Sequence, residues 1–506
     1  MPSTNASPAP AAAPGAPTSS DASTPPERLS TGIAGLDEVL GGGVEPERAY
    51  LLRGGPGAGK TILGAHFLTA DTASEALFIT LGEPGEQVRA HAARLGFDLE
   101  PVSFLNLAPE ADFFQEADTY DIFSPSEVER EPAMEAIVER VEETRPARVF
   151  VDSMTQFRYL AASPEQFRKQ VLSFVRFLTE QGATVLFTSE SSPEAPDHDL
   201  QFLSDGILEL RQGENGRLIT VPKFRGGSAK QGPHGFTISA TGITVHPRLA
   251  PDMEARQFTG ETVSTGVPEM DQLLNGGIEP GTTSIVSGPA GVGKTTLGLQ
   301  FVKETARRGE RSVVFNLEEE PETMIHRCEA INIPIQEMVE RDTLALRTVR
   351  PWNFSIDRFS QRVRREVEER EAGIIMIDSL TGLQNFMRKS AFAKRLQALT
   401  KYLVNKNVTV FFTDEVSSVT GDFTPTASAL SYVADNIVFL RYLEMKGELR
   451  KAIGVLKKRA GDFENTLREF AITQYGLKVG EPLTELRGIL QGTPEFVEDA
   501  PPSSLP

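Results

Sequence analysis

Two octapeptides carry the most chemistry in this chain of 506 residues: Gly54-Gly55-Pro56-Gly57-Ala58-Gly59-Lys60-Thr61 and Gly288-Pro289-Ala290-Gly291-Val292-Gly293-Lys294-Thr295. Each reads as a phosphate-binding loop. Glycines let the backbone wrap an anion closely, so that its amides and the start of the following helix face phosphate oxygens. The lysine then reaches the β- and γ-phosphates, and the threonine hydroxyl reaches Mg²⁺. On this reading ATP is held by Gly55, Gly57, Ala58, Gly59, Lys60 and Thr61 in the first copy. Pro289, Ala290, Gly291, Val292, Gly293, Lys294, Thr295 and Thr296 hold it in the second.

Further residues fit a nucleoside triphosphate. Asp152 and Asp378 each end an apolar run, where an acid can meet Mg²⁺ as a Walker-B residue. Thr61, Thr295, Asp152, Asp378 and Glu318 form the expected magnesium set. Glu318-Glu319-Glu320 follows the second apolar run of copy two, placing a carboxylate where it can orient or deprotonate a nucleophile. Copy one has Gly82-Glu83 there, so Glu83 stands alone. Lys223/Arg225 and Lys457/Arg459 come late in each copy; alternation puts each pair on one face of a strand, where it can neutralise γ-phosphate charge. A solvated acidic loop and a strand-edge charge pair are the plainer readings of the last two features.

The elements that must position these groups occur twice. Gly288 lies 234 positions after Gly54, and Ser264-Thr265-Gly266 lies 234 after Ser30-Thr31-Gly32. Apolar runs at 50–53, 76–81, 148–151 and 184–188 return at 283–287, 312–317, 374–377 and 408–413. Their near-continuous hydrophobicity predicts parallel strands buried on both faces. Helical patterns at 62–69, 165–181, 296–305 and 391–405 separate them. The expectation is α/β: two tandem P-loop domains, 28–247 and 258–493, with mostly parallel sheets. Residues 1–27 and 494–506, rich in Pro, Ser, Thr or Ala, read as a disordered tail and a flexible tail.

Composition narrows the partners. Seventy acidic against 51 basic residues give a net charge of −19, which argues against broad nucleic-acid binding. No apolar run approaches the ~20 residues of a membrane helix. The single cysteine, Cys328, excludes an internal disulfide and suits a reducing cytoplasm.

Taken together, the tandem P-loops, the Ser-Thr-Gly…Leu-Asp…Gly-Gly lead-in, the Glu318-Glu319 pair, Ile377-Asp378-Ser379 and the Lys-x-Arg elements resemble the KaiC family. These are circadian-clock ATPases and autokinases of the RecA superfamily, and the resemblance spans roughly residues 28–493. It implies two RecA-like domains stacked as two rings of a homohexamer, with MgATP between subunits and Lys223/Arg225 and Lys457/Arg459 reaching the next protomer's ATP. It also implies an ATPase first domain and an autokinase second domain. The family's adjacent Ser-Thr acceptor pair aligns with Ser431-Tyr432, and Thr426 matches a nearby family hydroxyl, so Ser431 is the expected phosphoacceptor, with Tyr432 and Thr426 as further candidates. Glu318 would activate the acceptor, with Glu319 in support. Three positions depart from the family: Tyr432 for threonine, Gly82 for the first glutamate of copy one, and a short acidic tail after Thr493-Pro494-Glu495 that does not fit KaiA-type recruitment. The expected partners are copies of itself and regulatory signalling proteins. A nucleic-acid-dependent RecA-type motor and an ATP-held, non-catalytic scaffold are the alternatives.

Overall fold

Every apolar run in the sequence becomes a strand, and in both copies the order of those strands puts the phosphate-loop strand in the middle. The computed structural model describes residues 27–107, 130–158, 161, 163–190, 197–213, 216–249, 260–350, 354–385, 389–416, 431–445, 447–491 and 494–496. Most of both expected tails, residues 250–259 of the joint, and Thr426 fall outside them. Domain one contains β1 (Ala49–Gly54), β2 (Ala76–Thr80), β3 (Ser103–Asn106), β4 (Arg148–Asp152), β5 (Thr184–Ser189), β6 (Gly206–Gly213), β7 (Gly216–Phe224), β8 (His234–Ser239) and β9 (Gly242–His246). They form one sheet in the order β3-β2-β4-β5-β1-β6-β7-β8-β9.

Domain two repeats the plan with β10 (Thr283–Gly288), β11 (Ser312–Asn316), β12 (Leu344–Thr348), β13 (Ile374–Asp378), β14 (Thr409–Glu415), β15 (Asn436–Met445), β16 (Glu448–Lys458), β17 (Arg468–Thr473) and β18 (Gly476–Pro482). Its order is β12-β11-β13-β14-β10-β15-β16-β17-β18. Pairing is parallel from β3 to β6 and from β12 to β15, then antiparallel to the far edge.

Alternation along the central strands feeds two cores, one on each face. In domain one, Tyr50, Phe78 and Phe150 pack with Leu63 and Phe67 of the helix Lys60–Thr69. Leu51, Val151 and Phe187 pack with Phe167 and Phe174 of the helix Pro164–Glu180. The phosphate-loop helix lies so close to the sheet that a Cβ on Gly64 would stand 2.3 Å from the Phe150 ring. Gly298 occupies the same place against Met376. That closeness ties the loop to the sheet that aims it.

The two domains of one chain meet through polar contacts, buried at Asp357 and Gln361 and half-exposed at Glu38. The Gly235 amide donates to Asp357 Oδ2 at 3.0 Å, and a Cβ at Gly235 would come within 2.9 Å of Ser355 Oγ. Arg395 pairs with the other Asp357 oxygen and donates to the Pro233 carbonyl. Glu38 accepts from Lys230 at 2.6 Å and Arg364 at 2.7 Å, and Gln361 donates to the Pro247 carbonyl.

Within the expected C-terminal tail, Glu495–Phe496 pairs antiparallel with Leu486–Arg487, and Arg487 forms a 3.0 Å ion pair with Glu495.

Asp357→Ala should lower stability by about 3 kcal/mol, because it strands a buried guanidinium and a backbone amide; an unchanged urea midpoint would show that the pair contributes nothing. A second expectation concerns His246, which is buried. Burial first, then Arg358 and Arg365, push its pKa from 6.5 down to about 4. The unfolded chain therefore binds a proton that the folded chain refuses. Stability from this group is full above pH 6.5 and falls toward pH 4, by up to about 3 kcal/mol. His246→Gln should flatten that part of the profile in urea titrations between pH 7 and 4.5.

Candidate nucleotide site

Each phosphate loop leaves the C-terminal end of its central strand and turns into a helix at a left-handed glycine: Gly59 has φ 103° and Gly293 has φ 119°. Gly57 and Gly291 are also left-handed, at 69° and 71°. These conformations suit glycine and wrap the loop backbone around an anion site, while the Ala58 and Val292 amides donate within the loop, to Gly55 O at 3.2 Å and Pro289 O at 3.4 Å. Lys60 and Lys294 are buried and curl over the loop. Lys60 Nζ donates to the Gly54 and Gly55 carbonyls at 2.8 and 3.2 Å, and Lys294 Nζ donates to Pro289 at 2.9 Å. Burial lowers the Lys294 pKa, opposed chiefly by Glu415 and then Asp378 and Glu318. The Val292 side chain is fully buried, and its amide donates to the Pro289 carbonyl. Thr296 is buried as well, and its hydroxyl accepts from Arg327 at 3.1 Å.

The expected metal set converges in both copies. Thr61 Oγ1 donates to Asp152 Oδ2 at 2.7 Å, and Thr188 donates to the other oxygen at 2.7 Å. Thr295 Oγ1 donates to Asp378 Oδ2 at 2.8 Å, with Thr413 on the other oxygen. Thr188 and Thr413 were not singled out from sequence, although Thr188-Ser189-Glu190 and Thr413-Asp414-Glu415 repeat at one offset. Asp378 is buried and its pKa is raised, by burial first, with the neighbouring Glu318 carboxylate adding to it.

The two glutamates of copy two have different surroundings. Glu318 Oε1 accepts from Ser379 Oγ, beside Asp378. Glu319 is clamped by Arg327, whose Nη2 and Nε lie 2.9 and 3.2 Å from its two oxygens. Arg327 also joins Glu319 to Thr296 of the phosphate-loop helix; the sequence reading missed it because nothing in its spacing marks it. In copy one a cavity of about 420 Å³ is lined by the phosphate loop, Gly82, Glu83, Asp152, Ser153, Gln156 and Glu190.

The Lys-x-Arg pairs lie at the opposite end of the sheet. β15 runs parallel to β10, with Asn436 beside Ser284, so residues 431–435 precede the strands' N-terminal ends while Gly288 opens the phosphate loop at their C-terminal ends. The length of β10 separates them, roughly 17 Å. β16 ends at Lys458, so Arg459 falls just past the strand; β7 likewise ends before Arg225. Lys457 Nζ donates to the Ser431 and Ala434 carbonyls at 3.0 and 2.6 Å, and Arg459 donates to Tyr432 O at 2.9 Å. Lys223 and Arg225 hold the matching segment of copy one through Gln201 O and Asp205. Ser431 and Tyr432 are exposed.

A family profile described as the KaiC ATPase matches residues 29–250 and again 263–484. The chain belongs to the KaiC family of ATPases. It is 27% identical to a circadian clock oscillator protein KaiC of Prochlorococcus marinus, over 93% of this chain and 96% of that one. It is 28% identical to the protein of the same name from a Picosynechococcus species, over 92% of each chain. A circadian clock protein KaiC3 of a Synechocystis species is 26% identical, over 93% of this chain and 95% of its own. The tandem RecA-like architecture and nucleotide binding follow from membership in the KaiC family.

Gly82 takes the place that Glu318 has in copy two. A Cβ there would meet only Gln156 Nε2, at 3.7 Å, and its φ is not left-handed. Gly82→Glu should therefore be accommodated. With domain two silenced by Lys294→Ala, it should raise steady-state ATP hydrolysis by roughly tenfold, less than the ~10²–10⁴ of a full general base because Glu83 is already present. An unchanged rate would show that the missing carboxylate does not limit domain one.

Proposed function

We propose that this KaiC-family ATPase works as a homohexamer of two stacked rings, with MgATP between neighbouring subunits. In this reading its second domain transfers the γ-phosphate to Ser431, and phosphorylation makes the assembly a switch or timer. The carrying observation is the separation of Ser431, Lys457 and Arg459 from their own phosphate loop by the length of β10. A chain so built offers its loop at one end and its acceptor and cations at the other, which suits a head-to-tail ring.

The residues at the loop fit Mg²⁺. Thr295 and Asp378, or Thr61 and Asp152, supply adjacent hard oxygens, and a cation there would relieve the crowding of Asp378 by Glu318. Bound Mg²⁺ would neutralise charge on the β- and γ-phosphates. Lys294 and the loop amides orient the triphosphate. Glu318, steadied by Ser379, takes the proton from Ser431 Oγ of the neighbouring subunit. As the Oγ–Pγ bond forms, the bond from Pγ to the β,γ-bridging oxygen breaks, and ADP leaves with that electron pair. Lys457 and Arg459, carried with Ser431, accompany the acceptor to the transferring group and balance its charge. Glu319 acts through Arg327, which fixes the loop bearing Glu318 against the phosphate-loop helix. In domain one, Glu83 without a partner at Gly82 supports slower hydrolysis to water. The switch or timer role follows the clock function in the relatives' names, with Tyr432 in place of a second hydroxyl acceptor of the family type.

Incubation with labelled ATP and Mg²⁺, followed by mass spectrometry, should place phosphate on Ser431. Ser431→Ala should abolish the label, and Glu318→Gln should slow it by about a hundredfold or more. Mixed Lys294→Ala and Ser431→Ala chains should regain label, on the Lys294→Ala chains alone. Unlabelled wild-type protein would overturn the autokinase, and no recovery in the mixture would overturn transfer between subunits.

A further inference from the structure

A basic cavity at the junction of the two domains is unused by either ATP site. It has a volume of about 590 Å³. One wall is the outer face of β8 and β9, presenting Thr237, Ser239, Thr244 and His246. The other is one face of domain two's helix Ile356–Glu368, with Arg350 ahead of it in the chain. Arg358, Arg362 and Arg365 all line the cavity, spaced so that one face of the helix carries them.

Three guanidiniums on one helical stripe repel one another, and this arrangement persists in a chain whose net charge is −19. The neighbouring acids are committed elsewhere. Asp357 is held by Gly235 and Arg395, and Glu366 pairs with Arg347 at 2.6 Å. Arg362 donates to the Thr348 carbonyl. Among the described residues, Arg350, Arg358 and Arg365 have no ion-pair partner. A cavity of this size is ordinary for a small-molecule site, at about 300–1,000 Å³. Planar guanidiniums opposite hydroxyl groups form the donor set that phosphates take, since arginine binds phosphate through paired N–H bonds.

We propose that this junction binds a compact linear polyphosphate, free or carried on a nucleoside, as a ligand bridging domain one to domain two. Because its two walls belong to different ATPase domains, such a ligand favours one mutual arrangement of them and so couples the two nucleotide sites. The cavity has two walls and a short cationic stripe, which suits a ligand of a few phosphates better than an extended nucleic acid.

The test uses the full chain with both phosphate loops saturated by a non-hydrolysable ATP analogue and Mg²⁺. Inorganic tripolyphosphate is then titrated by calorimetry. One additional site per chain is expected, weakening as salt is raised. The double variant Arg358→Gln/Arg365→Gln should lose at least tenfold in affinity while its ATP-analogue binding stays at the wild-type level. Arg358→Lys/Arg365→Lys should recover part of the loss, which separates charge from folding. Guanosine triphosphate run in parallel assigns the source: tighter binding than tripolyphosphate points to a nucleoside ligand, equal or weaker binding to the free chain. No extra site, equal affinity in the Gln variant, or tighter binding of a short RNA than of tripolyphosphate would each overturn the proposal.

Discussion

The parallel pairing of β10 with β15, and of β1 with β6, is the constraint on which the rest of this molecule depends. A parallel strand pair has a polarity that turns cannot undo. Once the phosphate loop leaves the C-terminal end of the central strand, whatever precedes the next strand must lie at the other end. Ser431, Tyr432 and the Lys457/Arg459 pair are therefore kept from the loop of their own domain by backbone hydrogen bonding rather than by side-chain choice. The antiparallel strands that follow carry this arrangement to the domain edge, where domain one meets the helix Ile356–Glu368.

Against that shared frame, single side chains distinguish the copies. Both keep a threonine on each oxygen of the Walker-B aspartate. Copy two adds Glu318 on Ser379 and an Arg327 clamp on Glu319. Copy one has Gly82, with space beside it. The duplicated scaffold is conserved in its backbone polarity, and the specialisation lies in one loop after the second strand.

Much of this was legible from sequence because its causes are local. Phosphate loops need glycines at fixed spacing, and strands buried on both faces need unbroken apolar runs, so Gly59, Gly293 and the runs before Asp152 and Asp378 are visible without coordinates. The boundaries shifted little: the helices begin at Lys60 and Lys294 because the left-handed glycine before each lysine is itself the cap. What was not legible depends on distant pairing. Arg327 joins Glu319 to Thr296 of the phosphate-loop helix, 31 positions before the arginine. Arg459 falls beyond β16 although alternation alone continues the strand. Glu495 pairs with Leu486–Arg487 although its surroundings read as tail. The contacts of Gly235 with Asp357 join residues of different domains, and no spacing rule reports them.

The polarity of β10 has a further consequence for how such a chain can be regulated. Under the proposed assembly a single chain carries two half-sites per domain and no complete one. Its activity is then a property of concentration as well as of covalent state. Dilution, or a competing surface that covers only the rim bearing Lys457 and Arg459, would silence chemistry in a fully folded protein without touching its phosphate loops. A defect at one rim would likewise be felt in the adjacent subunit rather than in its own, so a minority of damaged chains could set the output of the whole.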